Sequence, residues 1–343
     1  MRLYGIDVAR FLAFCGMVLV NFRLVAEMPE AQDLSSWLGA VLEGRAAGLF
    51  VILAGLGLAL GTPAPSVVVR RGLVLIGFGS LNLLIFEADI LHYYGLFFLI
   101  ALPFLGLSSR ALILSCALIL ALSFTLQLTL NYDANWNWET LTYSNFWTVQ
   151  GLLRHSLFNG WHPVLPWICF LLFGLWLGRL PLARASVQVQ LILWGSLTTV
   201  LTLMPVRFAT DPEIIFLLQT APIPPVPFYV LSAMGSGAAV LGLALWITPR
   251  LPQAVINPMV HTGRQTLTLY ITHILLGMGL MEEWGWLNSP PSSDKMVTYS
   301  FVFCGFCVLY AVIWARFMKR GPFEALMRFA SGTGIAQKSR QTN

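Results

Sequence analysis

Charge is scarce in this chain: Asp, Glu, Lys and Arg make up 10% of its 343 residues, against 57% hydrophobic. Soluble domains carry about 25% charge, so an ordinary water-soluble globule is excluded. Missing too are an HExxH pair, a P-loop and a GxSxG elbow, which removes zincin, P-loop and α/β-hydrolase chemistry. No internal repeat or low-complexity tract is present, and a repeat is the usual mark of a secondary transporter. Cysteines are few: Cys15, Cys116, Cys169, Cys304 and Cys307 all lie inside apolar runs, so no disulfide framework arises. Cys304 and Cys307 form a CxxC in a run without histidine or carboxylate. They read as small packing residues on one helix face, and no metal site is implied.

What the chain has is long apolar stretches, at roughly 7–26, 39–61, 67–86, 89–107, 110–130, 160–179, 187–205, 225–248, 263–281 and 296–318. At 1.5 Å of rise per residue each crosses a hydrocarbon core of about 30 Å. The charges between them sort by side. With the amino terminus inside, the inner loops and tail collect most bases, from Arg2 and Arg110 to Lys338 and Arg340, with only Asp7 and Glu324 as acids. The outer loops collect Glu27, Glu87, Asp133, Glu282 and most other acids. The sequence therefore predicts an all-α, polytopic bundle of about ten transmembrane helices, with both termini cytoplasmic. The net charge of +5 faces lipid headgroups rather than nucleic acid, because no basic patch interleaves with aromatics. The first span carries Asp7 and Arg10 and lacks a small-x-small cleavage site, so it reads as retained, not as a signal peptide.

Residues 1–318 form one transmembrane domain on this reading. Residues 319–331 alternate bases with apolar residues, as an amphipathic surface helix does, and 332–343 read as a disordered tail. The outer segment 131–159 carries an aromatic belt of Trp136, Trp138, Tyr143 and Trp147. Pro222, Pro224, Pro225 and Pro227 exclude a helix at the end of the loop 206–224.

Ionisable groups at membrane depth are costly and point to use. Arg10 and Asn21, eleven residues apart, share a face of the first span about 16 Å apart along its axis. Arg10 either pairs with Asp7 at i,i+3 or opens onto a cavity. Glu43 and Arg45 flank Gly44 and, at i,i+2, need separate partners. Asp89 and His92 share a face at i,i+3, the spacing at which an acid orients an imidazole. Asn159 and His162 stand where Pro163 and Pro166 bend or delay a helix, freeing carbonyls to line a cavity. Thr266, Tyr270, His273 and Gly277 form one inward stripe with an imidazole near mid-depth.

Several of these stretches resemble one family. Gly5-Ile6-Asp7-Val8-Ala9-Arg10 through Asn21 is similar to the opening span of the YeiB-like bacterial membrane proteins, within the transmembrane acyltransferase superfamily. Glu43-Gly44-Arg45, Asp89 to Tyr94, Asn159 to Trp167, Gly263 to Tyr270 and the ending Arg320 to Arg328 follow in the same order. The superfamily includes the lysosomal heparan glucosaminide acetyltransferase. The resemblance implies transfer of an acyl group, usually acetyl, from cytoplasmic acyl-CoA to an outer acceptor such as a glycan, amine or lipid headgroup. The polysaccharide O-acyltransferase branch has a histidine where this chain has Asn21, and residues 22–38 hold none. A base would then be His273, with His92 and Asp89 as an alternative pair, or His162. Glu43, Arg45, Asn21, Asn159 and Tyr270 would bind substrate, and Arg10, Arg70, Arg71 and Arg264 the CoA phosphates. A transporter or flippase using the same polar cavity is the alternative, and a noncatalytic sensor a third. Gly235-Ser236-Gly237 and its neighbours allow close packing within one chain or between copies.

Overall fold

A computed structural model describes residues 3–29 and 32–332, so the segment expected as a disordered tail lies outside the described residues, Gly332 apart. Most of the described residues are helical. In order come α1 (Tyr4–Val25), α2 (Leu34–Leu42), α3 (Arg45–Gly61), α4 (Pro65–Asn82), α5 (Leu91–Ile100) and α6 (Ser109–Thr129). A small antiparallel hairpin, β1 (Trp136–Asn137) and β2 (Thr142–Tyr143), precedes α7 (Val149–Arg154). Then follow α8 (Val164–Leu177), α9 (Ala185–Leu203), α10 (Pro212–Leu218), α11 (Pro227–Ile247) and α12 (Gln253–Gly263). The chain ends with α13 (Thr266–Thr272), α14 (Gly279–Glu283), α15 (Ser293–Phe317) and α16 (Pro322–Ala330). Single π-turns at His155–Asn159 and His273–Met278 extend α7 and join α13 to α14.

Among the described residues, six helical segments are long and apolar enough to cross a bilayer, α2 and α3 counting together as the one crossing Ser35–Gly61, and the bent pair 149–159 with 164–177 makes a seventh. This is a helical membrane protein. Helix α1 lies at its centre, touching α3, α11, α12 and α15. Helices α6 and α9 bury little, and α6 turns Ile113, Leu114 and Leu118 outward as a lipid-facing face does. Helices α3 and α8 cross closely at Gly55 and Gly174, where any β-carbon would run into the opposite backbone.

The structure departs from the expected spans where local chemistry breaks the helix. The span over 39–61 is two helices, because Gly44 takes φ +65 between them. A β-carbon there would come 2.5 Å from the Tyr229 hydroxyl and 2.6 Å from Pro222, so only glycine fits. The span over 89–107 is a ten-residue helix with a 3₁₀ turn at Leu102–Phe104, because Pro103 removes a donor. The loop 206–224 holds α10, whose Asp211 cap accepts from the Glu213 amide at 2.8 Å, ahead of the proline run. At Gly160–Pro163 the helical path turns by 51°. All five cysteines are unpaired thiols, Cys304 and Cys307 buried among them.

Candidate functional site

Two cavities open at opposite ends of α1. The first, about 740 Å³, gathers Arg10, Arg71, Arg264, Lys319, Arg320 and Arg328 around two acids, Asp7 and Glu324. Local packing explains the gathering: Gly263, at the end of α12, lies against the backbone of Asp7, bringing Arg264 alongside α1. Buried Asp7 accepts from Arg10 Nη1 at 3.0 Å and from Arg264 Nε at 3.3 Å. One carboxylate thus orients two guanidiniums, each with donors to spare for an anion. A narrower slot of about 280 Å³ shares Arg10, Arg71, Phe98 and Thr266 with this cavity. Arg70 stays apart: it is exposed, and its Nε donates to the Ser66 carbonyl at 3.3 Å.

The floor of the cationic cavity is held by α16. Glu324 accepts from the amides of Leu267 and Thr268 at 2.7 and 3.1 Å, and from the Thr268 hydroxyl at 2.5 Å. These are the unmatched donors of the first turn of α13. Burial nevertheless pushes the Glu324 carboxyl above the ordinary glutamate range, against the pull of those hydrogen bonds.

The second cavity, about 710 Å³, is lined by Asn21, Arg23, Asp33, Glu43 and His162, with Trp37, Trp161 and Trp167 as aromatic walls. The break at Gly44 decides which neighbour faces it. Glu43 lies in the lining, whereas Arg45 turns away, its Nη1 3.5 Å from the carbonyls of Ala40 and Val41 and its Nη2 3.3 Å from Ser232 Oγ. There it neutralises the carbonyl end of α2.

Between the cavities runs a buried polar network. Asp89, fully buried, accepts from Asn82 Nδ2 at 2.9 Å, the Tyr270 hydroxyl at 3.1 Å and the Leu91 amide at 2.8 Å. The Ile90 amide donates to Tyr270 in turn. His92 Nδ1 stands 3.8 Å from Asp89, beyond hydrogen-bond range, and neither ring nitrogen has a hydrogen-bond partner among the described residues. His273 is fully enclosed: Nδ1 meets the Tyr270 carbonyl and Nε2 lies 3.0 Å from Asn21 Nδ2. With the proton on Nδ1, this imidazole holds the Asn21 amide in place and leaves its oxygen to the outer cavity.

Asn159 is committed to structure. Its amide donates to the carbonyls of Tyr132 and Ala134 at 2.7 and 2.9 Å, and its oxygen accepts from Tyr143 at 3.0 Å, pinning the hairpin to the π-turn. Sequence reasoning passed over His155, whose Nδ1 lies 2.9 Å from the Tyr93 hydroxyl. The Tyr93 ring touches His92, His155 and His162, making one imidazole cluster. Its signal was the i,i+7 spacing of His155 and His162, one helical stripe interrupted by the bend. No group of three or more His, Cys, Asp or Glu among the described residues could hold a metal ion.

A base-lined pocket at one end and a histidine- and carboxylate-lined pocket at the other suit a group transfer between two unlike substrates. Residues 2–204 match the family model "heparan-alpha-glucosaminide N-acetyltransferase, catalytic", and residues 182–333 match a family described as "protein of unknown function (DUF418)". A search of curated proteins found no match. Because the first match takes in more than half of the chain, this protein belongs to the heparan-alpha-glucosaminide N-acetyltransferase catalytic family, in its YeiB-like branch.

Proposed function

We propose that this protein is a membrane-embedded acyltransferase that moves an acyl group, by preference acetyl, from cytoplasmic acyl-CoA to an acceptor on the outer side. The observation that carries the reading is the chemical contrast between the two cavities of one helix bundle. The cationic cavity suits the phosphates of CoA, held by charge-assisted hydrogen bonds from Arg10, Arg71 and Arg264. The opposite cavity suits a hydroxyl or amine acceptor, with the Asn21 oxygen and Glu43 as acceptors of its hydrogen bonds and aromatic walls around it. His162 is the imidazole in that lining, and we assign it the role of general base. It takes the acceptor's proton as the acceptor's heteroatom adds to the thioester carbonyl; the C–S bond then breaks and the same proton passes from the imidazolium to the sulfur, so that CoA leaves as the thiol and His162 is neutral again. His273 acts through Asn21, as a positioning residue, and Asp89 with Tyr270 braces α5 against α13.

The membrane context follows the same reading: about ten crossings in a bacterial inner membrane, with both termini cytoplasmic. It requires α4, α5 and the α13–α14 path to cross as well as the longer helices. The base-rich loops then face the CoA pool. Lipids, acyl-CoA and the outer acceptor are the expected partners, and no metal takes part.

Acetyl-CoA binding to the purified protein in detergent, read by thermal unfolding against adenosine nucleotide, tests the reading. A stabilising shift that Arg10→Ala abolishes supports it. No shift at millimolar acetyl-CoA, together with uptake of solute into proteoliposomes lacking acyl-CoA, would transfer the assignment to a transporter.

A further inference from the structure

The cationic cavity continues beyond the arginines already assigned to the donor. On one side it joins the narrow slot through Arg10, Arg71, Phe98 and Thr266. On another, His261 and Ala315 also line a cleft of about 330 Å³ between α12 and α15. Slot and cleft have no lining residue in common. The three spaces therefore follow one another in the order slot, cavity, cleft.

Helical spacing builds the cleft. Ala254, Asn257, Pro258 and His261 recur at i, i+3, i+4 and i+7 along α12, and Val312, Ala315 and Arg316 at i, i+3 and i+4 along α15. Each set is one stripe of its helix. Ala254, Pro258, Val312 and Ala315 give the cleft an apolar bed; its polar groups are Asn257, His261 and Arg316, and no acid lines it. Arg316 is exposed and enters no ion pair among the described residues, so its guanidinium is open to an anion. His261 lies within electrostatic reach of Arg264 in the cavity, so cleft and cavity share one positive field.

An acyl-CoA is anionic at two separate places, the diphosphate and the ribose 3′-phosphate, and carries a flat adenine beside the second. The crowded bases of the cavity match the first; a lone arginine beside an apolar bed matches the second. We propose that the cleft between α12 and α15 binds the 3′-phosphoadenosine end of the donor: Arg316 bonds the 3′-phosphate, adenine lies on Ala254, Pro258 and Val312, and His261 stands at the passage to the cavity. This inference rests on the acyltransferase reading above. It orients the donor, with the nucleotide in the cleft, the diphosphate in the cavity and the uncharged arm toward the slot. It also makes the donor a free nucleotide thioester, not a thioester on a carrier protein, whose prosthetic arm has no adenosine to fill the cleft.

The experiment needs no acceptor. Full-length wild type, Arg316→Ala and Arg316→Lys in detergent are titrated by calorimetry with acetyl-CoA and with acetyl-dephospho-CoA, which lacks only the 3′-phosphate. Wild type is expected to bind acetyl-CoA about 10-fold more tightly than the dephospho compound, as a charge-assisted contact to phosphate implies. Arg316→Ala should bring acetyl-CoA down to the level of acetyl-dephospho-CoA while leaving the latter unchanged, so that the two losses are not additive. Arg316→Lys keeps the charge and should restore part of the preference. Equal affinity of wild type for the two compounds overturns the cleft assignment and leaves the donor cavity standing. A loss in Arg316→Ala that is the same for both compounds also overturns it, because the arginine would then act on the overall field or on a lipid phosphate. Wild-type protein that binds neither compound overturns the donor reading and this inference with it.

Discussion

The two cavities solve opposite electrostatic problems with the same central helix. At the Arg10 end six cations surround two acids, and one of those acids, Asp7, is spent on orienting two of the arginines. At the Asn21 end the lining is mixed, with Arg23, Asp33, Glu43 and His162 standing beside Trp37, Trp161 and Trp167. A cavity of one sign recognises charge and tolerates variety in the rest of the molecule. Single polar groups among aromatic walls fix orientation instead. On the proposed acyltransferase reading, the contrast puts the polyanionic donor at one end and the acceptor at the other.

Removing His162 is the strongest way to break that contrast. His162→Ala should lower transfer of labelled acetyl to membrane acceptors by about 10²- to 10⁴-fold, as loss of a general base does, while acetyl-CoA binding stays within a factor of two. Full retention of transfer would move the base to His273 or His92. Arg10→Ala should weaken acetyl-CoA by about 10- to 100-fold, matching the roughly 1.5–3 kcal/mol of a hydrogen bond to a charged group. An unchanged dissociation constant would detach the cationic cavity from the donor.

Glu324 sharpens the comparison from the floor of the cationic side. Glu324→Ala leaves three donors of α13 without their acceptor and should cost about 1–3 kcal/mol of stability, read by thermal unfolding. Burial holds this carboxyl above its ordinary value of 4.5, so the folded form favours the proton. Its contribution is then fully present below pH 4.5 and diminishes as pH rises through the raised value. Greater stability of wild type at pH 5 than at pH 7.5, with the difference absent in Glu324→Gln, is the expected pattern. The smallest effect belongs to Arg70→Ala, which should change acetyl-CoA affinity less than twofold, since Arg70 bonds its own helix. A tenfold loss there would mean that the donor spreads beyond the cavity described.

The adjacent pair Arg70 and Arg71 marks the limit of sequence reading: composition treats them alike, yet one is exposed and the other lines both inner pockets. The 100° step between neighbours on a helix separates them, but which side faces the cavity depends on where α5 and α16 pack. The same limit applies to His273, whose inward stripe was legible while its occupied nitrogens were not. Asn21 and the Tyr270 carbonyl fill them, and Asn21 comes from 252 positions away.

By itself the sequence determined the class of the protein and most helix positions. Apolar runs long enough to cross a bilayer are a local property, and backbone groups in lipid have few ways to pair other than a helix. It also determined that Arg10 and Asn21 lie at opposite ends of α1, because helical rise is fixed. Only the tertiary structure decided that Gly44 breaks the second span, that Glu43 and Arg45 part company there, and that His155 joins His92 and His162 around Tyr93. Those outcomes depend on which helices touch, and contact between distant segments is set by packing, which no local pattern encodes.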